Sequence, residues 1–436
     1  MTRREFLGRA AGATLFSVVP GRVMGLDAAT PPSERIGMGF IGLGGQGTGH
    51  LLGGAWTYVP GGYAGRDDVQ VLAVCDVRRE RREVARDRCN RIYAERFGLG
   101  KYAGVDAYND FREVLARPDI DAVLLALPYH WAGKMAALAA AAGKDVYCEK
   151  PVCVTVREGR KLVETVRRHG RVYQAGTQQR SEYGGKFRIA CELVRNGRIG
   201  TLREVYAYRP PGAFYPFGVP LGEPQPVPDG FDWDLWLGPL PRQPYCGSAG
   251  HALPGCFVGD VNWSPHHYDF VQWVLDAGRT GPVAVEWERG EGTAESGTVH
   301  YHYAGGVVVH SMPYPGEAIG AVGGACFVGT EGRIAVDREG IVSCPARILG
   351  APLCPGDARA GRPQSHANNF IECIRSRRPA ICDAETAHRS MSAILVGGTA
   401  IALRRSVRWD PVKEEFPGDE AANRLLSYAP RAPWGA

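Results

Sequence analysis

A short apolar run that ends in three spaced glycines, IGMGFIGLGGQG at residues 36–47, leaves few folds open to this chain. The run reads as a buried strand, and Gly42-x-Gly44-x-x-Gly47 reads as the turn into a helix. In a dinucleotide-binding unit the first glycine makes the tight turn, the second lets the backbone approach a pyrophosphate, and the third permits close helix packing. A chain with 58 glycines produces such patterns by chance, so the context has to decide. The run VQVLAVCD (69–76) supplies a second apolar strand ending in Asp76, a residue type that accepts hydrogen bonds from an adenosine ribose. Residues 51–68 read as an insertion that lengthens the usual spacing between the glycines and that acid. Asp76 favours NAD over NADP, because a carboxylate repels a 2′-phosphate; the adjacent Arg78 and Arg79 leave NADP open.

The strand and helix rhythm continues with helices over 79–97 and 110–116, a buried strand DAVLLALP (121–128), a helix over 131–143 and a strand KDVYCEKP (144–151). Such alternation predicts a parallel sheet covered by helices on both faces. Ligands of open α/β sheets bind beyond the carboxyl ends of the strands, so Pro128-Tyr129-His130 and Glu149-Lys150-Pro151 are expected to face the cofactor. The chain is 436 residues long, enough for two or three compact units with their own cores. Its balance of 51 Lys+Arg against 46 Asp+Glu is too even for a nucleic-acid surface, and a small-molecule partner is expected. The 12 cysteines form no CxxC pair or zinc-type spacing, so they read as small buried side chains and no metal site is expected. Only seven of the basic residues are lysine, which draws attention to Lys150.

The first residues, MTRREFLGRAAGATLFSVVPGRVMGLDAAT, have the layout of an export signal, with Arg3-Arg4 followed by Phe6-Leu7 and a modest apolar stretch too short to span a membrane. A twin-arginine signal over 1–30, processing by the twin-arginine export machinery, a periplasmic or otherwise exported location and no membrane span in the mature form are the expectations.

Taken together, Gly42–Gly47, Cys75-Asp76-Val77, Pro128-Tyr129-His130-Trp131, Gly143-Lys144-Asp145-Val146, Glu149-Lys150-Pro151, Gly176-Thr177-Gln178-Gln179-Arg180, Trp233–Pro239 and Asn369–Ile374 resemble the glucose–fructose oxidoreductase / inositol dehydrogenase / MocA (Gfo/Idh/MocA) family. The resemblance implies an α/β protein with an N-terminal Rossmann dinucleotide-binding domain over 31–152. A C-terminal α+β domain with a large, open, mostly antiparallel sheet follows over 153–436, its last helices packing back on the first domain. It implies tightly bound NAD, with NADP possible, and contacts to that cofactor from Gly42, Gly44, Gly45, Gln46, Gly47, Asp76, Leu127, Pro128, His130, Glu149, Lys150 and Gln178. Homodimers or homotetramers are common in the family.

After residue 151 the sequence predicts helices over 155–169 and 181–197, strands over 171–178 and 202–209, and then a stretch over 210–244 that holds 10 of the 31 prolines. Phe214, Tyr215, Trp233 and Trp236 in that stretch either border a sugar or bury an interface. Strands over 283–290, 297–313 and 325–337 and helices over 366–376 and 386–405 complete the chain. The chemistry concentrates in GDVNWSPHHYDFVQWVLD (259–276). Oxidising an alcohol requires a base for the hydroxyl proton, and histidine titrates in the right range. The family pattern Asp-x-x-x-His-x-x-Asp puts that base at His266, with Asp269 three residues on. Asn262 stands where the family has its first Asp, and Asp260 is an alternative carboxylate. By resemblance Lys150 is the catalytic partner of His266, its ammonium stabilising an alkoxide as it forms. Tyr129, Arg180, Trp233, Trp236 and His267 are the expected substrate contacts, with a core position the stronger reading for His267. The activity these residues imply is oxidation of a hydroxyl on a sugar, glycoside or polyol. A glycosidase using NAD transiently and a non-catalytic binding protein on the same fold are the alternatives.

Overall fold

The computed structural model describes residues 30–54, 57–207, 222–247, 260–290, 298–316, 319–320 and 323–435. The export-signal reading of 1–30, apart from Thr30, and the suggested roles of Phe214 and Tyr215 lie outside them. Two sheets organise the described chain. The first has six strands, β1 Ile36–Ile41, β2 Val69–Cys75, β3 Asp106–Tyr108, β4 Ala122–Leu125, β5 Asp145–Cys148 and β6 Tyr173–Ala175, in the order β3-β2-β1-β4-β5-β6. All neighbours in it are parallel. Its central strands β1, β4 and β5 are buried at every position, which is why they read as unbroken apolar runs rather than alternating ones.

Five helices connect these strands: α1 Gly45–Leu52, α2 Arg79–Phe97, α3 Phe111–Leu115, α4 Tyr129–Ala141 and α5 Val156–Arg168. Local chemistry marks their ends. Asp110 accepts the Arg112 N–H at the start of α3, and Gly98 closes α2 in a left-handed conformation at φ 65°. At α5, Thr155 accepts the Glu158 N–H while the Glu158 carboxyl accepts the N–H of Val154, the residue before the cap, so two N-terminal donors are satisfied reciprocally. The insertion after α1 packs into the domain: Tyr63 is fully buried, edge-on to Phe40 and close to His50. The sheet also runs past the expected boundary at 152, because β6 pairs with β5 and brings the chain through Ala175 into the first layer.

The second sheet has eight strands: β7 Leu202–Tyr206, β8 Ala284–Glu288, β9 Thr298–His302, β10 Val308–His310, β11 Ala325–Gly329, β12 Arg333–Val336, β13 Ile341–Cys344 and β14 Val407–Arg408. Their order is β13-β12-β11-β7-β10-β9-β8-β14. Only β7 and β10 run parallel; every other pair is antiparallel. Apolar residues alternate along β9, and Val299 and Tyr301 enter the core with Phe270 and Phe327. Helices α6 Lys186–Arg195, α8 Ser264–Val274 and α10 Ala384–Leu403 lie between the sheets, with the short α7 Trp233–Leu237 against the first. Helix α9 His366–Ser376 packs on the first sheet: Phe370 and Ile371 share a core with β1, β2 and β4, and Phe370 meets Tyr147 at 5.7 Å. No helix among the described residues is long and apolar enough to cross a membrane.

Candidate active site

The carboxyl ends of β1, β2 and β4 open onto an apolar cleft of about 250 Å³ whose lining includes Gly42, Gly44, Asp76, Leu127, Pro128 and Trp236. The three glycines of the β1–α1 turn have separate reasons to be glycine. Gly42 has φ +88°, and a Cβ there would sit 2.2 Å from the Ala126 carbonyl oxygen. A Cβ on Gly47 would lie 1.8 Å from the Gly42 carbonyl oxygen, so α1 could not seat against its own turn. Gly44 differs: the nearest atom to a Cβ there is Arg81 Nη1 at 3.6 Å, and Gly45 would meet nothing within 4 Å. Gly44 presents bare backbone to the cleft. Helix α1 has no side-chain cap, which leaves its first N–H groups for an anion. Asp76 fixes the floor, with Oδ2 accepting the Leu43 N–H at 2.7 Å and Oδ1 the Arg78 N–H at 2.8 Å. These residues fit a dinucleotide: donors for a pyrophosphate at α1, a carboxylate at the end of β2 for a ribose, and apolar walls for an adenine.

A second cavity of about 310 Å³ lies beside α1 at the ends of β5 and α8, lined by Gln46, Glu149, Lys150, Gln178, Tyr183, Asn262, Trp263, His266 and Arg338. Lys150 Nζ donates to Asn262 Oδ1 at 2.7 Å and to the Asn262 carbonyl at 3.1 Å. Burial holds its ammonium below the ordinary lysine range, against the opposing pull of Glu149 and Asp260. His266 is also buried, and burial, followed by the charges of Lys150 and Arg338, keeps its imidazole well below the ordinary histidine value. It is therefore neutral at pH 7, and its Nδ1 has no hydrogen-bond partner among the described residues. A neutral imidazole and an ammonium of reduced basicity sharing one pocket can accept a proton and stabilise a developing oxyanion.

Behind them, Glu149 accepts hydrogen bonds from His50 Nε2 (2.7 Å), Gln178 Nε2 (2.8 Å) and Gln46 Nε2 (3.3 Å). Burial alone would raise its pKa; the hydrogen bond and charge of His50, with Lys150 and Gln46, more than offset that and hold it down. Asp260 spends its carboxylate on the loop instead of a proton relay. Its oxygens accept the N–H groups of Asn262, Trp263 and Ser264 and the Ser264 hydroxyl, which builds the turn presenting Asn262 and starts α8.

None of the five expected substrate contacts lines the Lys150 cavity. Arg180 is buried in a two-pronged ion pair with Asp269, at 2.7 and 2.9 Å, so neither residue lines the cavity and Asp269 is not positioned to assist His266. Asp269 also accepts from Ser390 Oγ. His267 is a core residue, its Nδ1 on the Gly324 carbonyl at 2.8 Å and its pKa pushed down by burial to about 4. Trp233 and Trp236 stack at 4.7 Å, but Trp236 borders the cleft at Asp76 and not the Lys150 cavity. Tyr129 packs against Val154, Leu237 and Leu240. His130, expected at the cofactor, is buried and does not line the cleft; its Nε2 lies 2.9 Å from the Trp236 carbonyl oxygen. Four residues that line or brace the pocket went unread in the sequence: His50, Tyr183, Arg338 and Trp263, the last within the segment that carries His266. His50 sits one turn beyond the glycines on α1, which was a usable signal; Tyr183 and Arg338 come from remote segments.

Two family models match the chain, one described as an oxidoreductase family NAD-binding Rossmann fold over residues 36–177, the other as an oxidoreductase family C-terminal alpha/beta domain over 211–436. Among curated relatives, an uncharacterized oxidoreductase of Rhizobium meliloti is 36% identical over 115 residues, covering 26% of this chain and 32% of that protein. A glycosyl hydrolase family 109 protein of a Shewanella species is 29% identical over 180 residues, 41% of this chain and 36% of that one. The matches thus span about a third of those relatives' own length. Among solved structures, aldose-aldose oxidoreductase from Caulobacter crescentus, complexed with glycerol, aligns with a TM-score of 0.55 at 19% identity, covering 86% of this chain and 99% of that one. The WlbA dehydrogenase from Bordetella pertussis, in complex with NADH and UDP-GlcNAcA, aligns with a TM-score of 0.54 at 17% identity, covering 86% and 99%.

Proposed function

This chain belongs to the Gfo/Idh/MocA oxidoreductase family, and from that premise we propose that it is an NAD-dependent enzyme that oxidises a hydroxyl of a sugar, glycoside or polyol. One observation carries the reading: Lys150 Nζ, held on Asn262, shares a cavity with a neutral His266 next to the dinucleotide cleft. NAD bound along the cleft supplies the hydride acceptor for the substrate C–H. His266 accepts the hydroxyl proton, which its neutral imidazole is poised to do. The Lys150 ammonium stabilises the alkoxide as the O–H bond breaks, and Asn262 keeps that ammonium aimed into the cavity. Gln46 and Gln178, anchored on Glu149, line the cavity.

The Arg3-Arg4 segment supports the further reading that the enzyme is exported through the twin-arginine route, with NAD bound before export and retained through turnover. The open second sheet suits a homodimer or homotetramer. The local similarity to glycosyl hydrolase family 109 proteins favours one second reading, a redox-neutral glycosidase in which the hydroxyl is oxidised only transiently and the aglycone leaves by elimination.

The test uses protein purified from the exported fraction of cells expressing the full chain. Mass spectrometry of the denatured protein should find NAD, size exclusion should give a dimer or tetramer, and Arg3→Lys with Arg4→Lys should empty the exported fraction. A panel of sugars and aryl glycosides, read for both ketone and free aglycone, separates net oxidation from glycosidase action. Lys150→Met or His266→Ala should lower kcat by roughly 10²- to 10⁴-fold with NAD still bound. Absence of any nicotinamide nucleotide, or full activity in both variants, overturns the proposal.

A further inference from the structure

Residues 230–238, which include α7, fall within the stretch matched by the C-terminal family model, yet they are fastened to the first domain. Their attachments follow the rim of the nucleotide cleft, at the carboxyl ends of β2, β3 and β4. After β2, the Arg79 N–H donates to the Gly230 carbonyl at 2.8 Å and the Asp232 N–H to the Val77 carbonyl at 2.9 Å, while the Arg78 guanidinium lies 3.9 Å from the Phe231 ring centroid. After β3, Asn109 Nδ2 donates to Asp232 Oδ2 at 2.8 Å, and Arg82 Nη1 steadies Asn109 by donating to its Oδ1 and to the Asp76 carbonyl, both at 3.1 Å. After β4, Trp131 Nε1 donates to the carbonyls of Leu235 and Trp236, at 3.1 and 2.9 Å. Glycines let both ends of the segment come this close. Gly230 has φ +73°, and at Gly238, φ +48°, a Cβ would lie 2.0 Å from Trp131 Cζ2.

This placement bears on the nucleotide. Asp76 marks the ribose end of the cleft, and Val77, Arg78 and Arg79, which take three of the attachments, are the next residues along the chain. Leu235 and Trp236 themselves line the cleft, as do Arg78 and Asn109. One segment is therefore both a wall of the cleft and fixed at three of its turns. A segment that only joined the two halves of the chain could pack on a face of the sheet, as α9 does through Phe370 and Ile371. Here the ties lie at the edge where an open α/β sheet takes its ligand. Phe231 and Asp232 make ties but are not part of the cleft lining, so they act on the segment and not on the nucleotide directly.

We propose that residues 230–238 are a strap over the adenosine end of the cofactor cleft, that Phe231 and Asp232 are the positioning residues holding it shut, and that NAD leaves only when the strap lifts. The inference rests on the reading of this cleft as the NAD site, and it adds the device that retains the nucleotide.

The test incubates purified holoenzyme with excess isotopically labelled NAD and follows, by mass spectrometry of nucleotide from the desalted and denatured protein, how fast label replaces the bound cofactor. In wild type less than about a tenth should be replaced in about one hour, well within the range of residence times that complexes reach. Phe231→Leu keeps an apolar filler but loses the ring under Arg78, and it should speed replacement by about tenfold. Asp232→Ser keeps an N-cap acceptor for the Leu235 N–H but loses its reach to Asn109, with an acceleration of about the same size expected. Phe231→Tyr keeps the ring and should stay within about twofold of wild type. Asp234→Asn is the control on the same helix: it weakens the ion pair with Arg431, whose donations to the carbonyls of Asp234 and Gly238 still hold α7, and it should leave the rate unchanged. Wild type that exchanges its NAD within about a minute overturns the strap. So does Phe231→Leu or Asp232→Ser exchanging as slowly as wild type, or Phe231→Tyr or Asp234→Asn exchanging as fast as those two. Because two separate ties are cut, the strap stays open to refutation if one variant fails to fold. Bound NAD that exchanges freely leaves the NAD-dependent oxidoreductase standing and sinks only the strap, whereas a protein that holds no nucleotide sinks the parent reading.

Discussion

Asn262 is the residue at which this chain departs from its family's pattern, and the departure has a physical consequence at Lys150. The ammonium donates to the Asn262 side-chain oxygen at 2.7 Å, so it is oriented without being given a counter-charge. Burial is then free to lower its pKa, with only Glu149 and Asp260 pulling the other way. Asn262→Asp would add a carboxylate at hydrogen-bond distance and favour the charged lysine. Since on the proposed mechanism the protonated form stabilises the alkoxide, the alkaline limb of the kcat/KM profile should move up by roughly one pH unit. A limb that stays in place would show that another group sets it. On the proposed mechanism the acid limb belongs to His266, which burial and its cationic neighbours hold well below the ordinary value of 6.5. Oxidation should therefore persist as pH falls through 6, where an unperturbed histidine base would already be mostly protonated.

At the scale of elements, α8 carries His266 on one side and Asp269 on another, and the two have separate duties. Asp269 clamps the short turn at Gln178–Arg180 through the buried Arg180 guanidinium, which also lies 5.1 Å from the Trp273 ring centroid. Removing one partner of a buried pair strands the other charge, so Asp269→Asn should destabilise the protein by about 3–5 kcal/mol by chemical denaturation. The double change Arg180→Met with Asp269→Leu should recover most of that, because it leaves no stranded charge. A single variant as stable as wild type would refute the clamp. The same helix shows what could be read in advance. Strands β1, β2, β4 and β5, the glycine turn and Asp76 were legible, because each is a local pattern with its own chemistry, whereas a shared cavity for Lys150 and His266 was implied only by the family resemblance, and the Lys150–Asn262 hydrogen bond had no local signature. Spacing placed Asp269 beside His266, but which neighbour it faces is settled by Arg180, 89 residues away in sequence. Strands β3 and β14, of three and two residues, are too short to carry a period and exist through pairing to β2 and β8. Tyr183 and Arg338 reach the cavity only because α6 and the second sheet close over it, a tertiary fact with no local signature.

On the scale of the whole molecule, the first sheet is tied to the C-terminal segment through one charged network. Arg160 of α5 pairs with Glu385 at the start of α10 and with Glu414 on the turn after β14, both at 2.7 Å. His388 closes the network on Glu414, also at 2.7 Å. Burial alone would raise both carboxyl pKa values, but hydrogen bonds from Arg160 to both, from Arg389 to Glu385 and from His388 to Glu414 hold each at about 2. Their folded pKa values are depressed, so their stabilisation is complete above the unfolded value of about 4.3 and is lost as pH falls toward 2. His388 adds to the loss in the same direction: burial lowers its pKa in the folded protein, so the unfolded chain gains a proton from about pH 6.5 downward that the folded one resists. The network's contribution to stability should accordingly be constant above pH 7 and decline from there to pH 2, with its steepest part below 4.5. Arg160→Met would remove the cation shared by both carboxylates, raise their folded pKa values and shift the acid unfolding midpoint upward, with a loss of about 3–5 kcal/mol at pH 7. Far-ultraviolet circular dichroism during acid titration of wild type and variant measures both effects. An unchanged midpoint in Arg160→Met would mean that this junction does not hold the C-terminal segment to α5, and that the apolar contacts of α10 with α5 and α8 suffice.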